Sequence, residues 1–151
     1  MSTLICYDGS PSARRAVAVA RQSLGSDRAT LLHVFNPPEA VLADSFSTAS
    51  SPAGPNDDKL EHEALARARR VAEEGQHLAR SLGLEVDVRV ERSPSTVWRT
   101  ILDVALEQDA KLIVVGTHGA TAVVPSLLGS VSAALLHHSE IPVLIVPAHK
   151  D

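Results

Sequence analysis

The sequence predicts an α/β fold, an open sheet of five mainly parallel strands with helices packed on both faces. Short apolar runs alternate along the chain with segments whose apolar residues recur every three or four positions, as they do in strands and amphipathic helices. Five such runs alternate with four helical segments, and this alternation favours a parallel sheet because the crossover helices must cover its faces. The predicted strands are residues 3–7, 29–35, 84–91, 111–115 and 141–147.

Three of the four predicted helices have a recognisable start. Ser10 suits a helix cap and Pro11 suits the first helical position, and Gly25 is expected to end this first helix. A long second helix is predicted over residues 60–82 and should end at Gly83. The other two helices are expected to begin at Ser93-Pro94-Ser95 and at Gly129-Ser130.

Size and composition predict one domain that covers residues 1–151. Aromatic residues make up only 3% of a chain that is 44% hydrophobic, so the core must be aliphatic. Residues 36–58 are rich in Ser, Pro, Ala and Asp without lasting periodicity. Such a segment is typical of a disordered loop, and a lid over a binding site is the alternative.

Charge and hydropathy exclude several classes of protein. The net charge is −4 and the 14 Lys and Arg residues are scattered among 18 acidic ones, so nucleic-acid binding is not expected. No apolar run has the length of a membrane span, the N-terminal residues lack signal-peptide character, and the histidines lack metal-ligand spacing. The single cysteine, Cys6, fits a reducing compartment. We therefore expect a cytoplasmic protein without membrane contact or a metal site of its own.

A glycine-rich stretch follows the fourth predicted strand. Two residues separate Gly116 from Gly119, and nine separate Gly119 from Gly129-Ser130 at a predicted helix start. Glycine lets the backbone come close to a ligand, and a helix start favours an anion through its N–H groups and its dipole. The spacing predicts a phosphate ester, with phosphates on residues 129–131 and a sugar near Gly116 and Gly119. The alternative is that these glycines only form a turn and that Ser130 only caps a helix.

Asp8 follows the first predicted strand and has Gly9 beside it. Its carboxylate could bind ribose hydroxyls or a metal ion carried by phosphates, and the alternative is an Asx-turn that closes the bend. Ligands of open α/β sheets bind beyond the carboxyl ends of the strands, where the strand order reverses. If the first and fourth strands are neighbours there, Asp8 and Gly116 face each other across one crevice.

Several motifs together resemble the signature of the universal stress protein family, and they span the whole chain. The spacing of the glycine motif matches that of the family, and the motifs are specific when taken together, whereas any single one would be weak. The others are Tyr7-Asp8-Gly9-Ser10, Leu32-His33-Val34, Ser93-Pro94 and the apolar residues 142–146. The resemblance implies an open five-stranded sheet with the strand order 3-2-1-4-5 and, as is usual in the family, a homodimer.

The resemblance also implies the ATP-binding branch of that family, with Mg²⁺ carried on the nucleotide. The residue matching Asp8 lies near the nucleotide there, and the residue matching Val34 presents backbone groups to the adenine edge. The glycine motif holds ribose and phosphates, and we include its flanking residues in the predicted set. These residues are Val115, Gly116, His118, Gly119, Gly129, Ser130, Val131 and Ser132. Many members have an arginine-glycine pair after the second glycine, whereas this chain has Ala120-Thr121-Ala122, so a positive charge on the phosphate side is missing.

The sequence favours a binding module over an enzyme. Phosphoryl transfer needs charge neutralisation at the phosphates, but the chain has no Walker-type Gly-Lys-Ser/Thr and no Lys or Arg between Gly116 and His138. We expect at most slow ATP hydrolysis by a nucleotide-responsive stress protein. The alternatives are a protein of the same fold that acts only through protein contacts, or a cyclic AMP binder. An adenylyl transferase is disfavoured because Ala120-Thr121 follows His118-Gly119 where that class has His-x-Gly-His.

The composition of the final strand predicts that the protein pairs with a second copy of itself. Val143, Leu144, Ile145 and Val146 would form an edge strand that is apolar on both faces. Exposed strand edges invite pairing, and pairing across a two-fold axis would give a homodimer. The alternative is that a flanking helix and the neighbouring prolines protect this edge.

Overall fold

The computed structural model describes residues 2–24, 28–37, 57–119 and 128–148. The elements in chain order are β1 (Thr3–Cys6), α1 (Pro11–Leu24), β2 (Ala29–Phe35), α2 (Asp57–Ser81), β3 (Val86–Arg92), α3 (Val97–Glu107), β4 (Leu112–Gly116), α4 (Ser130–His138) and β5 (Val143–Val146). Within the described part of the chain, no helix combines the length and the apolar character that a membrane span requires.

The five strands form one sheet in the order β3-β2-β1-β4-β5, and every neighbouring pair is parallel. The predicted fold class and strand order are therefore confirmed. The central strand, β1, pairs with β2 on one side and with β4 on the other, so that Ile5 lies opposite both Leu31 and Val114. The chain order reverses between β1 and β4, and the carboxyl ends of these two strands lie side by side.

Successive side chains of each strand point to opposite faces of the sheet, and both faces are covered. Ile5, Leu31 and Val114 pack against the small and aliphatic residues of α1 and α2. Leu4 and Cys6, with the corresponding residues of β2 and β4, pack against α3 and α4. Both core layers are aliphatic apart from Tyr7 in the first and the partly buried Trp98 in the second, as the low aromatic content predicts.

Several predicted boundaries hold and one is wrong. The α1 helix begins at Pro11, and Gly83, with φ +76°, ends α2 in the left-handed conformation. The α3 helix, however, begins after Thr96 rather than at Ser93-Pro94-Ser95. Ser93 is instead buried, and its N–H donates to the Phe35 carbonyl at 2.8 Å, because this connection extends the pairing of β3 with β2.

The predicted loop at residues 36–58 ends earlier than expected, because α2 already begins at Asp57. Residues 38–56 and Gly25 lie outside the described residues, so the loop's expected disorder and the end of α1 stay predictions. The β3 strand lies at one edge of the sheet and β5 at the other. The position of β5 agrees with the edge strand predicted for residues 143–146.

Candidate functional site

A crevice of about 740 Å³ opens at the carboxyl ends of β1, β2 and β4. It lies where the strand order reverses, which is the expected place for a ligand of an open α/β sheet. Every residue of the predicted binding set lines it: Asp8, Val34, Val115, Gly116, His118, Gly119, Gly129, Ser130, Val131 and Ser132. The fold thus brings together residues from four separate stretches of the chain.

Asp8 stands on the β1 side of the crevice. Its Oδ1 accepts a hydrogen bond from the Ser10 N–H at 2.9 Å, so the Asx-turn that was the alternative reading of this residue does form. Its Oδ2 would be 3.3 Å from a Cβ atom on Gly119. The turn and the approach to the glycine loop (residues 116–119) are therefore compatible, and together they place one carboxylate oxygen beside that loop.

Gly116 is needed for packing as well as for the crevice. It ends β4 on the face that carries α1, and a Cβ atom there would overlap Ser12 Oγ and lie 2.8 Å from the Ala13 nitrogen. Any side chain would push the first turn of α1 away from the sheet. The glycine that the sequence assigned to a sugar contact thus first permits α1 to approach β4.

Two serines of α1 and its cap hold the glycine loop. Ser12 Oγ donates to the His118 carbonyl at 2.8 Å, and Ser10 Oγ donates to the same oxygen at 3.1 Å. Ser10 Oγ also accepts from the Ala13 N–H at 3.2 Å, which confirms its predicted role as a helix cap. Sequence reasoning missed Ser12, because only the pairing of β1 with β4 brings the start of α1 against a loop about a hundred residues away.

The start of α4 forms the wall opposite Asp8. Its cap is Gly129, whose N–H donates to the Thr117 carbonyl at 2.7 Å. The first N–H groups of a helix have no acceptor inside the helix, and a glycine cap brings no side chain to satisfy them. The backbone of residues 130–132 therefore offers donors at the positive end of the helix dipole.

The two serines of this helix start differ. Ser130 is exposed at the first helical position. Ser132 is buried, and its Oγ donates towards the carbonyls of Thr117 at 2.9 Å and Gly129 at 3.0 Å. The Ser130 hydroxyl is thus accessible to a ligand, whereas the hydroxyl of Ser132 is engaged in holding the glycine loop.

Val34 lies on the β2 side, where the sheet leaves backbone groups facing the crevice. The Leu32 carbonyl points towards β1 and accepts from the Tyr7 N–H at 2.8 Å. Because the direction of the backbone groups alternates from one residue to the next along a strand, the N–H and C=O of Val34 also point towards the β1 side. The β1 strand has already ended at Cys6, so it does not extend far enough to pair with them. The side chain of Val34 packs with the apolar layer below the crevice.

Two histidines also line the crevice. His33 Nδ1 lies 2.8 Å from the Tyr7 carbonyl, so this nitrogen carries the proton, and burial lowers the pKa of the ring below its usual value. His33 is therefore neutral at neutral pH. His118 Nδ1 lies 2.9 Å from Thr117 Oγ1, while its Nε2 is buried and has no hydrogen-bond partner among the described residues. A polar ligand would form a hydrogen bond with this Nε2 atom and occupy the open space beside Gly119.

Cys6 and Tyr7 form the floor at the end of β1. Burial raises the pKa of the Cys6 thiol to about 12, and burial together with a hydrogen bond to Glu74 raises the pKa of Tyr7 to about 12. Both groups stay protonated at neutral pH, so neither provides a nucleophile there. Among the described residues, no group of three or more His, Cys, Asp and Glu side chains could hold a metal ion.

Comparisons with known proteins agree with this fold. The model of the universal stress protein family matches residues 1–147. A universal stress protein of Thermus aquaticus is 32% identical over 145 residues, which cover 95% of this chain and 96% of that protein. The solved structure of the Methanocaldococcus jannaschii protein MJ0577 superposes with a TM-score of 0.77 at 22% identity, covering 99% of this chain and 97% of that one.

Three further structures of this fold contain adenine nucleotides. The Archaeoglobus fulgidus universal stress protein was solved with dAMP (18% identity, TM-score 0.65, 97% of each chain covered). An Arabidopsis thaliana family protein was solved with AMP (16%, 0.65, covering 100% of this chain and 94% of that one). Another universal stress protein was solved with cAMP (22%, 0.63, covering 99% and 98%). At these identities the likeness to this chain concerns the fold.

Proposed function

This chain belongs to the universal stress protein family, and on that premise we propose that it binds an adenine nucleotide in the crevice. The observation that carries the proposal is the convergence of one carboxylate, one glycine loop, one strand end and one helix start on a single cavity. At about 740 Å³ the cavity has an ordinary size for a small-molecule site. The adenine complexes of related folds support the same ligand class.

The groups around the crevice suggest how the nucleotide lies. The phosphate fits the start of α4, where N–H groups and the helix dipole favour an anion. The ribose fits between Asp8 and Gly119, because carboxylate oxygens accept hydrogen bonds from hydroxyls. The adenine fits the β2 side, where Val34 offers one backbone donor and one acceptor above an apolar wall formed with Val97 and Ile101.

ATP with Mg²⁺ is the ligand implied by the family resemblance, and the protein would act as a cytoplasmic, nucleotide-responsive regulatory module. Neither Lys nor Arg occurs among the described residues that line the crevice. Charge on a transferring phosphoryl group would therefore be poorly stabilised. Any ATP hydrolysis should accordingly be slow.

A homodimer through β5 is part of the proposal. The β5 strand lies at the sheet edge and pairs only with β4 in the described part of the chain. Leu144 packs with the α1 and α2 layer, and Val143 and Ile145 pack with the α3 and α4 layer, yet all three remain only partly buried. A second copy of the strand would satisfy the open backbone edge and cover these side chains.

Thermal unfolding with AMP, ADP, ATP and cyclic AMP tests nucleotide binding. A ligand at a hundredfold excess over its Kd adds about 2.7 kcal/mol, which for a domain of this size raises the Tm by about 5–10 °C. A Gly119→Leu variant should remove the shift and retain the apo Tm, because Gly119 is exposed. Ser81→Leu, at the exposed end of α2, is the matched control and should keep the shift.

Two results would contradict this proposal. A flat response of the wild type to all four nucleotides would favour the alternative, in which the same fold acts through protein contacts alone. A Gly119→Leu variant that keeps the full shift would place the ligand outside this crevice.

A further inference from the structure

The charges around the crevice are unevenly distributed. Asp8 contributes a carboxylate, and none of the described lining residues is a Lys or an Arg. His33 is neutral at neutral pH because burial lowers its pKa. The favourable field for an anion thus comes from helix starts, because residues at the starts of α1, α3 and α4 line the crevice. Each such dipole is worth about half a positive charge and acts only over the first turn.

Three arginines of the surrounding elements already have partners of their own. Arg14, in the first turn of α1, forms an ion pair with Glu74 at 2.6 Å. Arg92, at the end of β3, forms one with Glu61 at 2.6 Å. Arg15 donates to a backbone carbonyl just after β5 at 2.9 Å. Recruiting any of these side chains to a phosphate would require breaking an existing interaction.

The residues outside the described ranges add almost no positive charge. Among all residues outside the described ranges, Lys150 is the only Lys or Arg, and residues 38–56 and 120–127 contain neither. Residues 38–56 do contain two acids, Glu39 and Asp44. Whatever these segments do, they bring no cation to the phosphates.

We infer that, within the adenine nucleotides, this site takes those that carry one phosphate group, AMP or cyclic AMP, in preference to ATP. The inference rests on the proposed function and narrows its ligand class. One phosphate can be satisfied by the N–H groups of residues 130–132, whereas the second and third phosphates meet no cationic side chain among the described residues that line the crevice. A cavity of about 740 Å³ has room for all three phosphates, so charge rather than volume sets the preference.

Calorimetric titration in the presence of EDTA tests this order of affinities. At about pH 8, above the usual pKa of histidine, AMP carries about two negative charges and free ATP about four. The two additional charges of ATP would lie near Asp8 without a counter-charge. They should make the affinity for ATP about tenfold or more weaker than that for AMP. Cyclic AMP carries one charge and should likewise bind more tightly than free ATP, although its 3′-oxygen, esterified in the cyclic phosphate, has no proton to donate to Asp8.

Ionic strength gives a second readout on the unmodified protein. If ATP is disfavoured by repulsion, salt should screen that repulsion and raise its affinity relative to that of AMP. If cationic side chains held the phosphates, salt would lower the affinity for ATP more than that for AMP. The second pattern would overturn the inference even where no variant folds.

A charge-insertion variant provides a gain-of-affinity test. Leu128 lines the crevice directly before Gly129, and 45% of its surface is exposed, so Leu128→Arg should fold and place a guanidinium near the phosphates. We expect this variant to raise the affinity for ATP by about tenfold and the affinity for cyclic AMP much less. Leu106→Arg, at a site that is 67% exposed and outside the crevice, is the control and should change neither.

The possible failures can be told apart. If ATP in EDTA binds as tightly as AMP or more tightly, the charge inference is wrong while the nucleotide site stands. If no adenine nucleotide binds, the proposed function itself fails.

Discussion

Ser12 Oγ donates a hydrogen bond of 2.8 Å to the carbonyl of His118, although the two residues are 106 positions apart in the chain. On the other side of the glycine loop, Ser132 Oγ donates to the carbonyl of Thr117 at 2.9 Å. Two successive carbonyls of the loop are thus held by the first turns of two different helices, α1 and α4. This arrangement keeps the loop in contact with both Asp8 and the start of α4.

Ser12→Ala should therefore weaken nucleotide binding without removing any group that contacts the ligand. Ser12 is 2% exposed, and its loss would leave Ser10 as the only one of the two hydroxyls that still donates to the His118 carbonyl. We expect a loss of about 1–2 kcal/mol in the free energy of unfolding and a roughly fivefold weaker Kd for AMP, equivalent to about 1 kcal/mol.

Ser81→Ala is the matched control for that variant. Ser81 also donates to a backbone carbonyl, that of Leu78 at 2.7 Å, but it is exposed. Its replacement should leave both the unfolding free energy and the Kd nearly unchanged. A Ser12→Ala protein with wild-type affinity would show that the loop does not need this hydrogen bond.

Gly75→Ala should destabilise the protein even though alanine favours helices. Gly75 lies inside α2, and a Cβ atom there would lie 2.7 Å from Tyr7 Cδ1 and 2.9 Å from Leu31 Cδ1. The Tyr7 ring cannot move away easily, because it is buried and its hydroxyl donates to Glu74 at 2.8 Å. The gain of about 1 kcal/mol in helix propensity should be outweighed by overpacking of about 1–3 kcal/mol.

Urea denaturation would measure the effect of Gly75→Ala. The control is Glu73→Ala, at an exposed position of the same helix, which should lie within about 0.5 kcal/mol of wild type. A Gly75→Ala protein more stable than wild type would mean that the Tyr7 ring can move away from α2 at little cost.

Alkaline pH should destabilise the fold through Cys6 and Tyr7. The pKa of Cys6 rises from 9.0 to about 12 and that of Tyr7 from 10.0 to about 12 on folding. A raised folded-state pKa means that the native state holds its proton where the unfolded chain releases it. This stabilising contribution is therefore complete below about pH 9 and is lost progressively as the pH rises towards 12.

Unfolding free energies measured at about pH 7 and about pH 10 would reveal this loss. Cys6→Ala and Tyr7→Phe should each reduce the difference in unfolding free energy between the two pH values, whatever they do to the stability at neutral pH. If the unfolding free energy falls between the two pH values by the same amount in both variants as in wild type, other groups govern the alkaline transition.

Leu144→Asp should convert a dimer into a monomer if β5 pairs across a two-fold axis. A carboxylate at the sheet edge would have to be desolvated in the interface. Sedimentation velocity should show a dimer for wild type and a monomer for the variant, with Leu106→Asp as an exposed control on α3. Because Leu144 also packs against the α1 and α2 layer, circular dichroism must show that the variant folds. A wild-type protein that sediments as a monomer at all concentrations would refute the dimer.

Local patterns were sufficient for most of the fold. The apolar runs of β1, β2 and β4 and the periodicity of α1 and α2 follow from how each segment must bury its own apolar side. The start of α3 was misplaced because Ser93-Pro94-Ser95 has the composition of a helix start. In the structure, the Ser93 N–H extends the pairing between β3 and β2, a constraint that no local pattern contains.

The sequence by itself determined the parallel α/β fold and the residue types of the site, because periodicity, glycine spacing and helix starts are local properties of the chain. Only the tertiary structure decided that Ser10 and Ser12 hold the His118 carbonyl, and that Gly116 makes room for α1. It also decided that the hydroxyl of Ser132 is engaged within the protein while Ser130 is exposed. The physical reason is that hydrogen-bond partners and steric clearances depend on which strands become neighbours, and β1 and β4 are brought together only when the whole sheet has formed.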